Sequence, residues 1–282
     1  GVSEDTAGVV TNTDVFGNIT TTTTVNAYSD DFVQSQGMVK VLSSTTTMSS
    51  VSMVDGSTLT QDTATLVTYT YDEAGVGQAE AGKYGILTGV SEDTAGIVTN
   101  EDVFGNITTT VTVNTYSDDF VEGYGIVKVL SSTTTMSSVS MVDGSTLTQD
   151  TPTVVTYTYD EAGVGQAEAD KYGILTGVSE DTAGIVTNED VFGNITTTTT
   201  VNTYSDDLVE GYGIVKVSSS TTTMSSVSMV DGSTLTQGTP TLVTYTYDEA
   251  GVGQAEADKY GILTGVSEDT AGVVTNTDVF GN

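Results

Sequence analysis

The octapeptide GVSEDTAG opens the chain at residue 1 and returns at 89, 177 and 265, a constant step of 88 residues. A fixed period constrains a fold more than any local motif, because every copy must reach one conformation and fit a neighbour like itself. The 282 residues divide into copies at 1–88, 89–176 and 177–264, with 265–282 beginning a fourth. The second and third copies are nearly identical: Phe120 is matched by Leu208, Leu130 by Ser218 and Asp150 by Gly238. The first drifts further, with Gln34 to Met38 standing where the second has Glu122 to Ile126. A step of 88 is long for one solenoid coil. It suits a block of several strands or a small domain. The chain starts at Gly1 and the fourth copy stops at Asn282 in mid-pattern. The expectation is a stretch of a longer array, with any targeting signal outside it.

Within a copy, short β-prone runs alternate with Gly/Asp turns. Ile107 to Tyr116 alternates apolar Ile107, Val111 and Val113 with Thr, a period of two that predicts a half-buried strand. Ser117-Asp118-Asp119 ends it, and Tyr124 to Leu130 starts a second strand. On that strand Lys128 shares a face with Ile126 and Leu130 and reads as a charge guarding a sheet edge. Asp143-Gly144 lies between two alternating segments and predicts a type I′ hairpin turn. Thr153 to Tyr159 predicts another strand, and Ala167 to Lys171 one helical turn at most. The octapeptide itself reads as a chain reversal, with Asp for an Asx bond and Gly for a positive φ. Seventeen of the 88 residues in the second copy are Thr, which with Val, Ile and Tyr favours strands and argues for order.

Three stretches place Asp-x-x-Gly after a β-prone run: 157–163, 90–99 and 100–109. Tyr157, Tyr159, Asp160 and Gly163, with Asp102, Gly105, Asn106 and Thr108, make the copy resemble the YD, or Rhs-type, repeats of bacterial surface proteins and toxins. The resemblance covers about half of each copy; the Arg of that pattern is missing, since the chain has none. It implies one long antiparallel sheet wound into a shell. The sequence therefore predicts an all-β fold of tandem 88-residue repeats forming a continuous antiparallel array. The alternative is a string of immunoglobulin-like β-sandwich domains, which a copy of this length with short strands also fits.

Chemistry is limited by what is missing. There is no His, Cys, Arg or Trp, and 38 acids against six lysines give a net charge of −32. Triads, zinc sites and phosphate clamps lack their side chains, so no enzyme is expected. Such a surface repels nucleic acid and anionic lipid. The apolar runs are too short to cross a bilayer as helices. Calcium takes oxygen ligands, and the acid pairs Glu92-Asp93, Asp118-Asp119 and Asp160-Glu161 are the candidates for it. A solvated acidic surface is the competing reading, and no resident cofactor is required. Asn18, Asn106 and Asn194 each open an Asn-Ile-Thr sequon and are candidates for glycosylation. The sum is a structural segment of a long extracellular or cell-surface protein, self-associating through neighbouring repeats or protomers into a fibre. A repetitive adhesin stalk and a toxin-encapsulating shell are the alternatives, with the receptor unspecified.

Overall fold

A computed structural model describes residues 2–4, 7–72, 85–91, 93, 96–160, 173–179, 181, 184–248, 261–267, 273–278 and 280. The protein is all-β and antiparallel, with short helices between strands. The chain separates into two units, 1–136 and 137–282.

The first unit begins with β1 (Val2–Glu4), β2 (Gly8–Thr13), β3 (Ile19–Ser29), α1 (Asp30–Gln36) and β4 (Val41–Val51). It continues with β5 (Thr58–Thr63), β6 (Thr65–Tyr71), β7 (Leu87–Val90), β8 (Gly96–Glu101), β9 (Ile107–Tyr116) and α2 (Asp118–Tyr124). Strands β1 and β2 both pair with β3, β3 pairs with β4, and β4 pairs with both β5 and β6. β5 then pairs with β8, β6 with β7, and β8 with β9. The unit is a meander in which β5 and β6 lie one after the other along β4, and β7 and β8 lie along β6 and β5 in turn. Hydroxyls bond across it: Thr20 Oγ1 lies 3.0 Å from Ser50 Oγ, and Thr115 Oγ1 lies 2.7 Å from Ser131 Oγ. Such cross-strand Thr/Ser pairs stabilise a sheet that has few large apolar side chains to stack.

β10 (Val129–Val139) runs from the first unit into the second. The second unit holds β11 (Thr146–Thr151), β12 (Thr153–Tyr159), β13 (Leu175–Val178), β14 (Gly184–Glu189) and β15 (Ile195–Tyr204). After these come α3 (Asp206–Tyr212), β16 (Val217–Val227), β17 (Thr234–Gln237), β18 (Thr241–Tyr247), β19 (Leu263–Val266) and β20 (Val274–Thr277). Its pairs repeat those of the first: β11 with β14, β12 with β13, β14 with β15, β15 with β16, and β16 with β17 and β18. β17 pairs with β20 and β18 with β19.

Strand pairing crosses the sequence period. β5 belongs to 1–88 and its partner β8 to 89–176, in the register Thr58↔Glu101. In the second unit β11 meets β14 as Thr146↔Glu189, the same register moved by 88 residues. β17 meets β20 as Thr234↔Thr277, joining the third copy to the start of the fourth.

Three local expectations are corrected. First, the octapeptide does not reverse the chain. β7 and β8 flank it and run the same way, both antiparallel to the run 58–71. The two strands on either side of it keep one direction along that run. Gly184 opens β14 and is not among the glycines with positive φ. It is needed for closeness instead, because a Cβ there would meet Thr153 Oγ1 at 2.6 Å.

Second, Ser117-Asp118-Asp119 opens a helix rather than only ending a strand. α2 runs from Asp118 to Tyr124, and Gly125 closes it at φ 64°. The acids in its first turn suit the positive end of the helix. In α1 the Ser29 hydroxyl accepts from the Phe32 N–H at 3.3 Å, an N-cap. The following strand therefore starts at Val129, and Lys128 precedes it, its carbonyl accepting from the Ser117 N–H at 2.9 Å. The equivalent Lys40 stands 5.2 Å from the centre of the Tyr71 ring, and Lys216 6.0 Å from that of Tyr247. Each of these two lysines sets its charge near an aromatic face.

Third, the Asp143-Gly144 turn is not type I′, which needs positive φ at both central residues; no described non-glycine has one. The loop spans 140–145. Ser140 N–H donates to the Ser145 carbonyl and Gly144 N–H to the Ser140 carbonyl, both at 2.8 Å.

β9 is the half-buried strand that the alternation predicts, its positions from Thr108 to Tyr116 all being half-buried. The expected turn at 167–171 lies outside the described residues.

The buried apolar side chains among the described residues are Phe32, Phe120, Val121, Leu208 and Val209, all in the helices. Phe32 meets the Tyr71 ring edge-on at 5.8 Å. α2 packs on β7 and α3 on β13. Each short helix is thus a plug that supplies apolar volume a Thr-rich sheet lacks.

Candidate functional site: a buried carboxylate and the acidic turns

Among the described residues the buried acids are those of the octapeptide, Asp93 and Asp181. Asp93 is buried, and its N–H donates to the Asn114 carbonyl at 3.1 Å. Its carboxylate accepts from Asn114 Nδ2 at 2.7 Å and from the Tyr116 hydroxyl at 2.7 Å. Asn114 and Tyr116 lie two apart on β9, so both project from one face. In the second unit Asp181 takes the same bonds from Asn202 at 2.7 Å and from Tyr204 at 2.6 Å. The phenols respond. Burial, then the hydrogen bond to the carboxylate, then its charge, push Tyr116 and Tyr204 well above the usual tyrosine range. Asp93 and Asn114 also border an open cleft of about 330 Å³ lined by Thr22, Thr46, Thr65 and Gln61.

The other acid candidates do other work. Glu92 and Glu161 lie outside the described residues. Asp118 and Asp119 are exposed in the first turn of α2. Asp160 N–H donates to the Ile174 carbonyl at 2.8 Å, and its own carbonyl accepts from the Gly173 N–H at 2.8 Å. Among the described residues no three Asp, Glu, His or Cys side chains converge as a metal site.

The sequon asparagines sit in hairpin turns. Asp102 Oδ1 accepts from the N–H groups of Phe104 at 2.8 Å and Asn106 at 2.9 Å. Asn106 Nδ2 donates to Asp102 Oδ2 at 2.8 Å, and Asn18 and Asn194 do the same to Asp14 and Asp190 at 2.8 Å. Asn18 Oδ1 also accepts from the Met53 N–H at 3.0 Å, and Asn194 Oδ1 from Met229 at 2.9 Å. The carboxamide ties one hairpin tip to the next. Burial raises the Asp102 pKa, but the bonds from Asn106 and Phe104 outweigh it and the net direction is down.

Sequence reasoning missed Asn114, Tyr116, Asn202 and Tyr204. Their signal is an Asn-x-Tyr at the end of a strand, 21 residues after the octapeptide Asp.

Comparison with protein-family models, with curated proteins and with solved structures finds no match.

Proposed function

We propose that the chain is a structural, non-enzymatic segment of a long extracellular or cell-surface β-repeat protein. In this reading length is carried by hydrogen-bonded strands running from one repeat into the next. The observation behind it is the pairing of β5 with β8, β11 with β14 and β17 with β20, each across the 88-residue period. A string of independent sandwiches joins its domains by covalent linkers, not by shared strands. Here the seam between copies has the same antiparallel ladder as the inside of a copy. That pattern suits a repeat array, whose stability comes from neighbour contacts as much as from each unit. The Asp-Asn-Tyr network fits the same reading, because it fastens the stretch between two strands to the strand beside it. The acidic surface serves it too, opposing unwanted pairing between near-identical exposed strands.

Electron cryomicroscopy of the purified chain, with and without a calcium chelator, tests the proposal. A uniform rod whose axial repeat scales with the 88-residue period is the expected image in both conditions. Beads with visible joints would overturn the array. Loss of order on chelation would replace solvated turns by metal sites.

A further inference from the structure

The hairpin tips carry large apolar side chains into solvent. In the first unit the tips at 14–18, 52–57 and 102–106 connect β2 to β3, β4 to β5 and β8 to β9, so they share one edge of the meander. They carry Val15, Phe16, Met53, Val54, Val103 and Phe104, and Phe16 and Phe104 are 72% and 70% exposed. The tips touch in sequence. A Cβ on Gly17 would lie 3.7 Å from Met53 Cβ, and one on Gly56 4.0 Å from Val103 Cγ1. The second unit repeats the row, with Phe192 71% exposed next to the tip of Met229. A folded chain normally hides or scatters such groups; a regular exposed row marks an interaction surface.

Charge selects the occupant. Each tip holds an aspartate: Asp14, Asp55 and Asp102 in the first unit, with Asp102 feeling the charge of Asp55. None of the six lysines lies within a tip sequence; the described Lys40, Lys128 and Lys216 follow helices, at the other ends of their strands. A second copy would set aspartate against aspartate. A bilayer would draw those carboxylates towards hydrocarbon, where they are costly. We propose that this edge docks a basic, amphipathic polypeptide, which sets apolar side chains against the Phe, Val and Met tips and Lys or Arg against the aspartates between them.

The test uses the full chain and a labelled 14-residue peptide of Leu and Lys, followed by fluorescence anisotropy. The control peptide has the same charge with Ser in place of Leu. Expected is binding at least tenfold tighter for the Leu/Lys peptide, weakening as salt rises. The triple variant F16S/F104S/F192S should lose that tenfold preference while its circular dichroism is unchanged. Should it misfold, M53S/M229S replaces it, with the same loss expected. Equal affinity for the two peptides, or unaltered binding by the variants, would overturn the proposal. So would either of two other results that vanish in the triple variant: salt-promoted dimerisation in sedimentation, which makes a second copy the occupant, or flotation with phosphatidylcholine vesicles, which makes lipid the occupant.

Discussion

A single carboxylate explains much of the octapeptide. Asp93 stands in a break between two stretches of strand and accepts from Asn114 and Tyr116. Replacing it with Ala leaves an amide and a phenol without their acceptor in a half-buried place. D93A should therefore lose about 1–3 kcal/mol in denaturant unfolding, and D181A the same. The phenols give a second check. Their folded pKa lies above the ordinary 10.0, so the fold favours the protonated form. The stabilisation is complete below pH 10.0 and is lost as pH rises beyond it. Stability should fall on the alkaline side, and less so in Y116F/Y204F, which cannot ionise there. A ΔG-against-pH profile unchanged by the double substitution would contradict this. The sequence marks the octapeptide as important, but its role was hidden. Asp beside Ser and Gly has the chemistry of a turn, and the partners that claim it lie on another strand.

Elements were legible where they are periodic. Ile107 to Tyr116 reads as a strand from its alternation and is β9 over the same residues. The helices were not, because a seven-residue helix shows less than two turns of periodicity between two strong strands. Their signals are local: Ser before two acids, and Gly125 in the left-handed region. Their weight is nonetheless large, since they hold the buried apolar side chains. F120A should cost about 3–5 kcal/mol by denaturant unfolding, whereas F120L, the side chain at Leu208, should cost far less. An F120A variant as stable as the parent would remove the helix from its role as plug. The hairpin aspartates act at the other end of the strands. Asp14, Asp55, Asp102, Asp143, Asp190 and Asp231 are held below the ordinary 3.8 by bonds to their turns. That support is present above pH 3.8 and lost as pH falls through the depressed values. The thermal midpoint should therefore fall progressively below that pH. D102A should lower the midpoint at neutral pH and flatten the acid limb, and an unaltered acid limb would count against the turn bonds.

At the scale of the molecule the period itself was readable without a structure, as was the all-β class. Strand partners were not. Nothing in Thr58 to Thr63 says that its outer neighbour is Ile97 to Glu101 of the following copy, since strands of similar length and polarity recur in every copy. Partner choice is non-local, and composition this uniform does not encode it in any one segment. Composition does fix the electrostatics. With a net charge of −32 and few cations, self-repulsion opposes folding at low ionic strength. Raising salt from about 0.01 to 0.15 M shortens the screening length from roughly 30 to 8 Å. The urea midpoint should rise over that range. A fall would mean that specific ion pairs outweigh the general repulsion.

The seams between copies have a consequence in heredity. Genes with near-identical tandem segments gain and lose whole segments by unequal crossing-over. In most proteins such an event leaves a ragged junction. Here a strand that pairs with the next copy finds an equivalent strand in whichever copy follows, because the register is the same at successive seams. Gain or loss in multiples of 88 codons changes the number of copies and leaves an equivalent strand for each seam to pair with. Copy number is then a trait on which selection can act one copy at a time.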